Sequence, residues 1–223
     1  MSIELVDTNA QHVFVGALGK GTAVGLSTDQ DTILAGVKAV FCTSYALASH
    51  SLFSCSGSLD ILKYAHKCAV PTFFDLGPAA FSIDMDIVEQ AIKASTVVLT
   101  TMEELIAWTG SSDKTQATDE ILGIGTEIVV IKCGSEGCII VSSEEEIVLD
   151  GFEVTVRDTA GAGDAFAGAF IYGYLSKYSL AESGTIANAT GAITVTRVGT
   201  GPYVPQRAEI FDLLESNGVT LGG

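Results

Sequence analysis

Between Val37 and Lys132 the sequence alternates between short apolar runs and stretches with helical spacing, and few architectures accept that rhythm. The runs Val37–Cys42, Pro71–Asp75, Thr96–Leu99 and Glu127–Lys132 read as strands. Val97-Val98-Leu99 and Val129-Val130-Ile131 lack polar alternation, as expected of strands buried on both faces. Between them, residues 49–67 carry apolar side chains at Leu52, Phe53, Leu59, Leu62 and Ala65, the spacing of one helical face. Further helices are predicted over 84–94, 102–108 (ended by Gly110) and 113–122. Strands alternating with helices of this length imply a parallel sheet covered on both faces. The expected class is α/β: a doubly wound, mostly parallel sheet flanked by helices.

The flanks are simpler. Residues 137–141, 146–149 and 152–156 read as short antiparallel strands. Helices are predicted over 163–177 and 180–195, then a break at Thr200-Gly201-Pro202-Tyr203-Val204-Pro205 and a closing helix over 208–216. At the start, Ile3–Val6 and His12–Val15 flank residues 7–11 as a β-hairpin. A Gly-dotted stretch, Gly16–Gly25, and a short helical pattern, Asp29–Ala35, follow. There is no internal repeat and no linker, so residues 1–223 are expected to form a single domain.

Composition narrows the partners. The 223 residues are 48% hydrophobic and 17% charged, which suits a large core and excludes disorder. The formal net charge of −16 repels phosphate backbones and anionic lipid, so neither nucleic acid nor a membrane surface is an expected partner. A single small polyanion can still bind where backbone dipoles or a metal oppose that field. The longest apolar stretch, Ala165–Leu175, is interrupted by Gly168 and Gly173 and falls short of the roughly 18–20 residues of a membrane helix. Met1-Ser2-Ile3-Glu4 lacks a basic leader, and five cysteines without a disulfide framework fit a reduced compartment; the expected localisation is cytoplasmic. Cys133 and Cys138 have no second ligand pair at fitting spacing and read as buried small hydrophobes.

The segment richest in chemistry is Arg157-Asp158-Thr159-Ala160-Gly161-Ala162-Gly163-Asp164-Ala165-Phe166, a small-residue loop running into an apolar helix. Glycines permit strained turns and close backbone approach. The amides of Ala162, Gly163 and Asp164 would then face outward at the positive end of the helix dipole and form an anion hole. Asp164, in the first turn, could accept a proton from a hydroxyl brought beside the anion. Such parts suit phosphoryl transfer. Taken alone, the same residues also suit an ordinary Gly-rich turn with Asp164 as a dipole-favoured first-turn acid.

The longer string Asp-Thr-x-Gly-Ala-Gly-Asp-x-Phe-x-Gly, Asp158–Gly168, resembles the C-terminal signature of the ribokinase/PfkB family of carbohydrate and nucleoside kinases. The resemblance extends over about Val37–Leu214, the expected nucleotide-binding and catalytic core. It implies a ribokinase-like fold, transfer of the ATP γ-phosphate to a sugar or nucleoside hydroxyl, and ATP and Mg²⁺ as cofactors. On it Asp164 is the catalytic base, and Gly161, Ala162 and Gly163 are the anion hole. Lys132 and Gly134, Ser135, Glu136 and Gly137 match a nucleotide-contacting strand-end loop, although alone they could be a plain hairpin turn. Asn188 matches a position beside the adenine. Thr101 and Glu104 match the element that positions Mg²⁺, through water in the case of Thr101. Thr100 and Thr101 replace the Pro and Asn usual there, and either can equally cap the helix with Glu103 or Glu104 as partner. Asp158, Ala160, Thr194, Arg197 and Gly199 match a backbone-oxygen site for a monovalent cation such as K⁺, with Tyr203 where a small hydroxyl residue is common.

The rest weighs against other classes. His12, His50 and His66 are scattered, and Glu144-Glu145-Glu146 reads as a solvated turn. Neither a Gly-x-x-x-x-Gly-Lys-Ser/Thr loop nor a Gly-x-Gly-x-x-Gly after a strand is present. The family's sugar-recognition segment, an early Asp and a Gly-Gly…Asn run, is not found before Asp158. Relative to the family, the chain is expected to be shorter by roughly 80–100 residues at its N-terminus. Residues 1–25 would then be a remnant of the lid region, with the lid incomplete. An uncovered sheet edge would favour a homodimer or a separate N-terminal piece. The expected function is an ATP-dependent carbohydrate or nucleoside kinase. The alternative is a catalytically silent nucleotide-binding or interaction protein left by loss of the sugar-binding third.

Overall fold

The structure, a computed structural model, describes residues 2–6, 12–16, 34–53 and 57–222. Strands β1 (Ser2–Val6) and β2 (His12–Gly16) form an antiparallel ladder with Ser2 opposite Gly16 and Val6 opposite His12. The expected hairpin strands therefore pair; the Gly16–Gly25 and Asp29–Ala35 readings fall almost wholly outside the described residues.

The main sheet contains β3 (Val40–Thr43), β4 (Thr72–Asp75), β5 (Val97–Thr101), β6 (Ile128–Lys132), β7 (Cys138–Ser142) and β8 (Glu146–Leu149), adjacent in chain order. β3 to β6 are parallel, and β7 and β8 run antiparallel. The helices are α1 (Ser44–Phe53), α2 (Gly57–Lys67), α3 (Met85–Lys93), α4 (Met102–Thr109), α5 (Lys114–Ile124), α6 (Ala162–Leu175), α7 (Leu180–Thr194) and α8 (Arg207–Ser216).

Strand order explains how both faces become covered. Parallel strands laid down in sequence by right-handed crossovers place every connecting helix on one face. Phe74, Val98, Val129 and Ile131 pack there against Leu47, Leu62, Val88, Ile92, Leu105 and Ile121. Successive strand residues point to opposite faces. Phe73, Val97, Leu99, Ile128 and Val130 accordingly meet Phe166, Ala167, Phe170 and Ala187 of α6 and α7 on the other side. Fully burying each such Val, Leu, Ile or Phe is worth about 1.5–3 kcal/mol. Helix ends follow local chemistry: Asp84 and Asp113 cap α3 and α5 through their carboxylates, and Gly110, at φ 71°, ends α4.

Several boundaries differ from the sequence reading. Residues 49–67 hold the end of α1 and, from Gly57, a separate α2. The third strand begins at Val40 instead of Val37. Residues 152–156 are not a strand: the chain leaves the sheet edge at Gly151, where an added Cβ would lie 2.2 Å from the Ser135 carbonyl oxygen. Phe152 then packs with Ile186, Ala189 and Leu214 of α7 and α8, so tertiary packing overrides its β propensity. Among the described residues, no helix is long and apolar enough to cross a membrane.

Candidate active site

Strand parity selects the polar residues at one end of the sheet. Phe73 and Val130 face α6, so Asp75 and Lys132, two residues on, leave the strand ends on that same side. The Lys132 ammonium donates to both Asp75 carboxylate oxygens, at 3.0 and 2.9 Å. Burial pushes the Asp75 carboxyl up against the opposing pull of Lys132, and the charges of Glu104 and Asp164 add to the upward push. Burial first, then Glu104, Asp164 and Asp75, likewise push the Tyr45 phenol up, which places this exposed first-turn residue of α1 at the same mouth.

Above the pair stands the N-terminus of α6. Gly161 caps the helix at φ 75°, a left-handed conformation. Its missing Cβ would lie 2.9 Å from the Thr200 methyl. Gly161→Ala is expected to lower stability by about 1–2 kcal/mol, read as a fall in melting temperature, because an L-residue is strained there. Of the three amides expected to form the anion hole, that of Ala162 is taken by the Thr159 carbonyl at 3.2 Å, which closes the turn. This corrects the sequence reading and leaves Gly163 and Asp164 as first-turn donors. A Cβ on Gly163 would lie 3.7 Å from the Lys132 ammonium, so the loop sits over the ion pair. Asp164 is exposed, between this loop and a cavity of about 550 Å³ bordered by Gly168, Tyr172, Thr190, Tyr203 and Phe211.

Thr101 and Glu104 form a reciprocal capping box at the start of α4. The Thr101 hydroxyl accepts from the Glu104 amide at 3.2 Å, and Glu104 Oε2 accepts from the Thr101 amide at 2.8 Å and the Thr100 hydroxyl at 3.4 Å. Glu104 Oε1 carries no hydrogen bond among the described residues. The loop after β6 is a short helical turn, Gly134–Glu136, with its three residues exposed. Gly137 and Asn188 lie buried behind it: Asn188 donates to the Leu149 and Asp150 carbonyls at 3.4 and 3.2 Å. They support the loop instead of presenting groups at its surface.

The Asp158 carboxylate ties the loop before α6 to the turn after α7, accepting from the Ala160 and Gly199 amides at 2.9 Å each. The Arg197 side chain pairs with Glu209, and the Thr194 carbonyl accepts from the Arg197 amide. No group of three or more His, Cys, Asp or Glu is placed to hold a metal among the described residues. Burial pushes the Cys138 thiol up to about 12 and the Cys42 thiol up to about 11, so both stay protonated near neutrality. Asp75 and Tyr45 escaped the sequence reading. Asp75 carried a usable signal, as the last residue of a strand at the end of the sheet where α/β folds bind ligands.

Comparisons with known proteins show the family and the fold. Residues 29–207 match the pfkB family of carbohydrate kinases. An uncharacterized sugar kinase of Archaeoglobus fulgidus is 32% identical over 169 residues, covering 74% of this chain and 67% of that protein. A 5-dehydro-2-deoxygluconokinase of Bacillus thuringiensis is 30% identical over 168 residues, covering 70% of this chain and 50% of that protein, so the chain spans about half of that relative's length. Arabidopsis thaliana ribokinase, solved with ribose and ATP, superposes with a TM-score of 0.77 at 23% identity, over 96% of this chain and 68% of that one. An Escherichia coli protein described as a candidate ribokinase II, solved with ATP and Mg²⁺, gives a TM-score of 0.83 at 20% identity, over 96% and 71%.

Proposed function

Because the chain belongs to the pfkB family of carbohydrate kinases, we propose that it transfers the γ-phosphoryl group of ATP to a hydroxyl of a sugar or nucleoside. The carrying observation is the stacking of the Gly161–Asp164 helix start over the buried Lys132–Asp75 pair at the carboxyl end of the parallel sheet. The Asp164 carboxylate takes the proton of the acceptor hydroxyl. The freed oxygen attacks the γ-phosphorus as its bond to the ADP oxygen breaks, and ADP leaves. The Gly163 and Asp164 amides meet the charge on the passing phosphoryl, where fixed donors cost no reorganisation. The exposed turn of Gly134, Ser135 and Glu136 borders the nucleotide, held in shape by Gly137 and Asn188 from behind.

The residues present fit Mg²⁺, which keeps several waters and binds through one or two carboxylates and substrate phosphates. Glu104 Oε1 is available for this role, and the Thr101 hydroxyl keeps its proton to donate to a metal-bound water. When bound, the ion neutralises phosphate charge. The carbonyls of Asp158, Ala160, Thr194, Arg197 and Gly199 suit a monovalent cation such as K⁺, since Asp158 draws their two segments together.

A second reading is nucleotide binding without transfer. Incubation with ATP, Mg²⁺ and a panel of sugars and nucleosides separates the two. The kinase reading expects ADP and a phosphorylated acceptor in equal amounts. ATP binding with no product from any acceptor would favour the silent form.

A further inference from the structure

Asp75 and Lys132 end β4 and β6 and meet across the last residues of β5, with side chains 11% and 13% exposed. A pair this deep is a weak source of stability, because stripping water from two ions about cancels their attraction. Its placement is more informative than its strength. It lies at the ligand-binding end of the sheet, under the Gly163 backbone. A lysine is a point charge on a flexible stem and follows nearby anions. Here both carboxylate oxygens hold it, at 2.9 and 3.0 Å.

We propose that Asp75 is a positioning residue that restrains Lys132, keeping the ammonium beneath Gly163 and away from the resting phosphates of the nucleotide. The proposal rests on the kinase reading above. Only interactions that strengthen in the transition state speed a reaction, and equal binding of ground and transition states does not. A lysine free to move would grip ATP at rest. A tethered one meets negative charge only as the phosphoryl passes over the helix start.

The test measures binding of ATP and of AMP by calorimetry, together with transfer, in the full chain and three variants. In Asp75→Asn, ATP is expected to bind about threefold to tenfold tighter, AMP within about twofold of the parent, and transfer about tenfold slower, the pattern of a lost ground-state restraint. In Asp75→Asn with Lys132→Met, the tightening disappears and ATP binds within about twofold of the parent, because the tethered ammonium does not touch the resting phosphates and the two lost charges cancel. Weaker ATP binding in Asp75→Asn, parallel losses for ATP and AMP, or tightening that persists in the double variant would overturn the proposal. Asp75→Glu keeps the charge pair, and so guards against a variant that does not fold. It displaces the ammonium by about one methylene and is expected to slow transfer about fivefold with ATP affinity within about twofold, since displacements near 1 Å are costly at reacting centres. Unchanged transfer in that variant would also overturn it. If the parent transfers nothing, the kinase reading falls, while the sign of the ATP-affinity change in Asp75→Asn still decides whether Asp75 restrains Lys132.

Discussion

Asp164→Asn is expected to lower phosphoryl transfer by about 10²–10⁴-fold, the usual worth of a positioned general base. Asparagine keeps the shape and loses the basic oxygen. Asp164 is exposed in the first turn of α6, so its removal opens no cavity in the core. The stability lost is that of one carboxylate at a helix start, about 0.3–1 kcal/mol. ATP affinity should stay equal to the parent's or rise, since one negative charge leaves the vicinity of the phosphates. Steady-state transfer, ATP binding and thermal melting measured on one preparation therefore separate a lost base from a lost fold. Parent-like transfer by this variant would remove Asp164 from the chemistry.

The second large effect falls on Gly137. An added Cβ there would stand 2.1 Å from the Leu149 carbonyl oxygen and 2.6 Å from backbone atoms of Asp150 and Gly151, at φ 99°. Each obstacle is main chain and cannot rotate away. Left-handed strain and overpacking together put the cost of Gly137→Ala at about 3–5 kcal/mol. For a chain of this size that lowers the melting temperature by about 6–20 °C. ATP binding should weaken with it if the Gly134–Glu136 turn borders the nucleotide as proposed, because Leu149 and Asp150 carry the carbonyls that Asn188 holds behind that turn. Gly134 is the internal control. Its φ of 58° is also left-handed, but nothing lies within 4 Å of its missing Cβ. Gly134→Ala should cost about 1–2 kcal/mol, the strain alone. Equal melting temperatures for the two variants would contradict the close approach at Gly137.

Much of the site was legible in order but not in register. The run Asp158–Gly168 marked the helix start because a small-residue loop leads there directly into an apolar helix, and Gly161 adopts the left-handed conformation such a turn requires. The apolar runs identified β5 and β6 for a similar reason: nothing polar interrupts a strand buried on both faces. The Asp75–Lys132 pair was not legible. Its partners are 57 residues apart, and their meeting depends on β4 and β6 both aligning with β5, which one sequence does not encode locally. The fate of residues 152–156 was hidden likewise, because Phe152 is drawn onto α7 and α8 by packing that no local pattern announces. Thr101 and Glu104 were readable as a cap or as a metal-positioning pair. The capping box is present, and the Glu104 oxygen it leaves over suits the second role.

If phosphoryl transfer occurs at the start of α6, over Lys132, the triphosphate must end there. A crystal structure with Mg²⁺ and a non-hydrolysable ATP analogue would locate it. A γ-phosphate oxygen is expected within about 3 Å of the Gly163 amide, an ordinary hydrogen-bond distance, with the adenine beside the Gly134–Glu136 turn. A triphosphate seated in the cavity between α6, α7 and α8, with the Gly163 amide facing only water, would contradict transfer at that helix start.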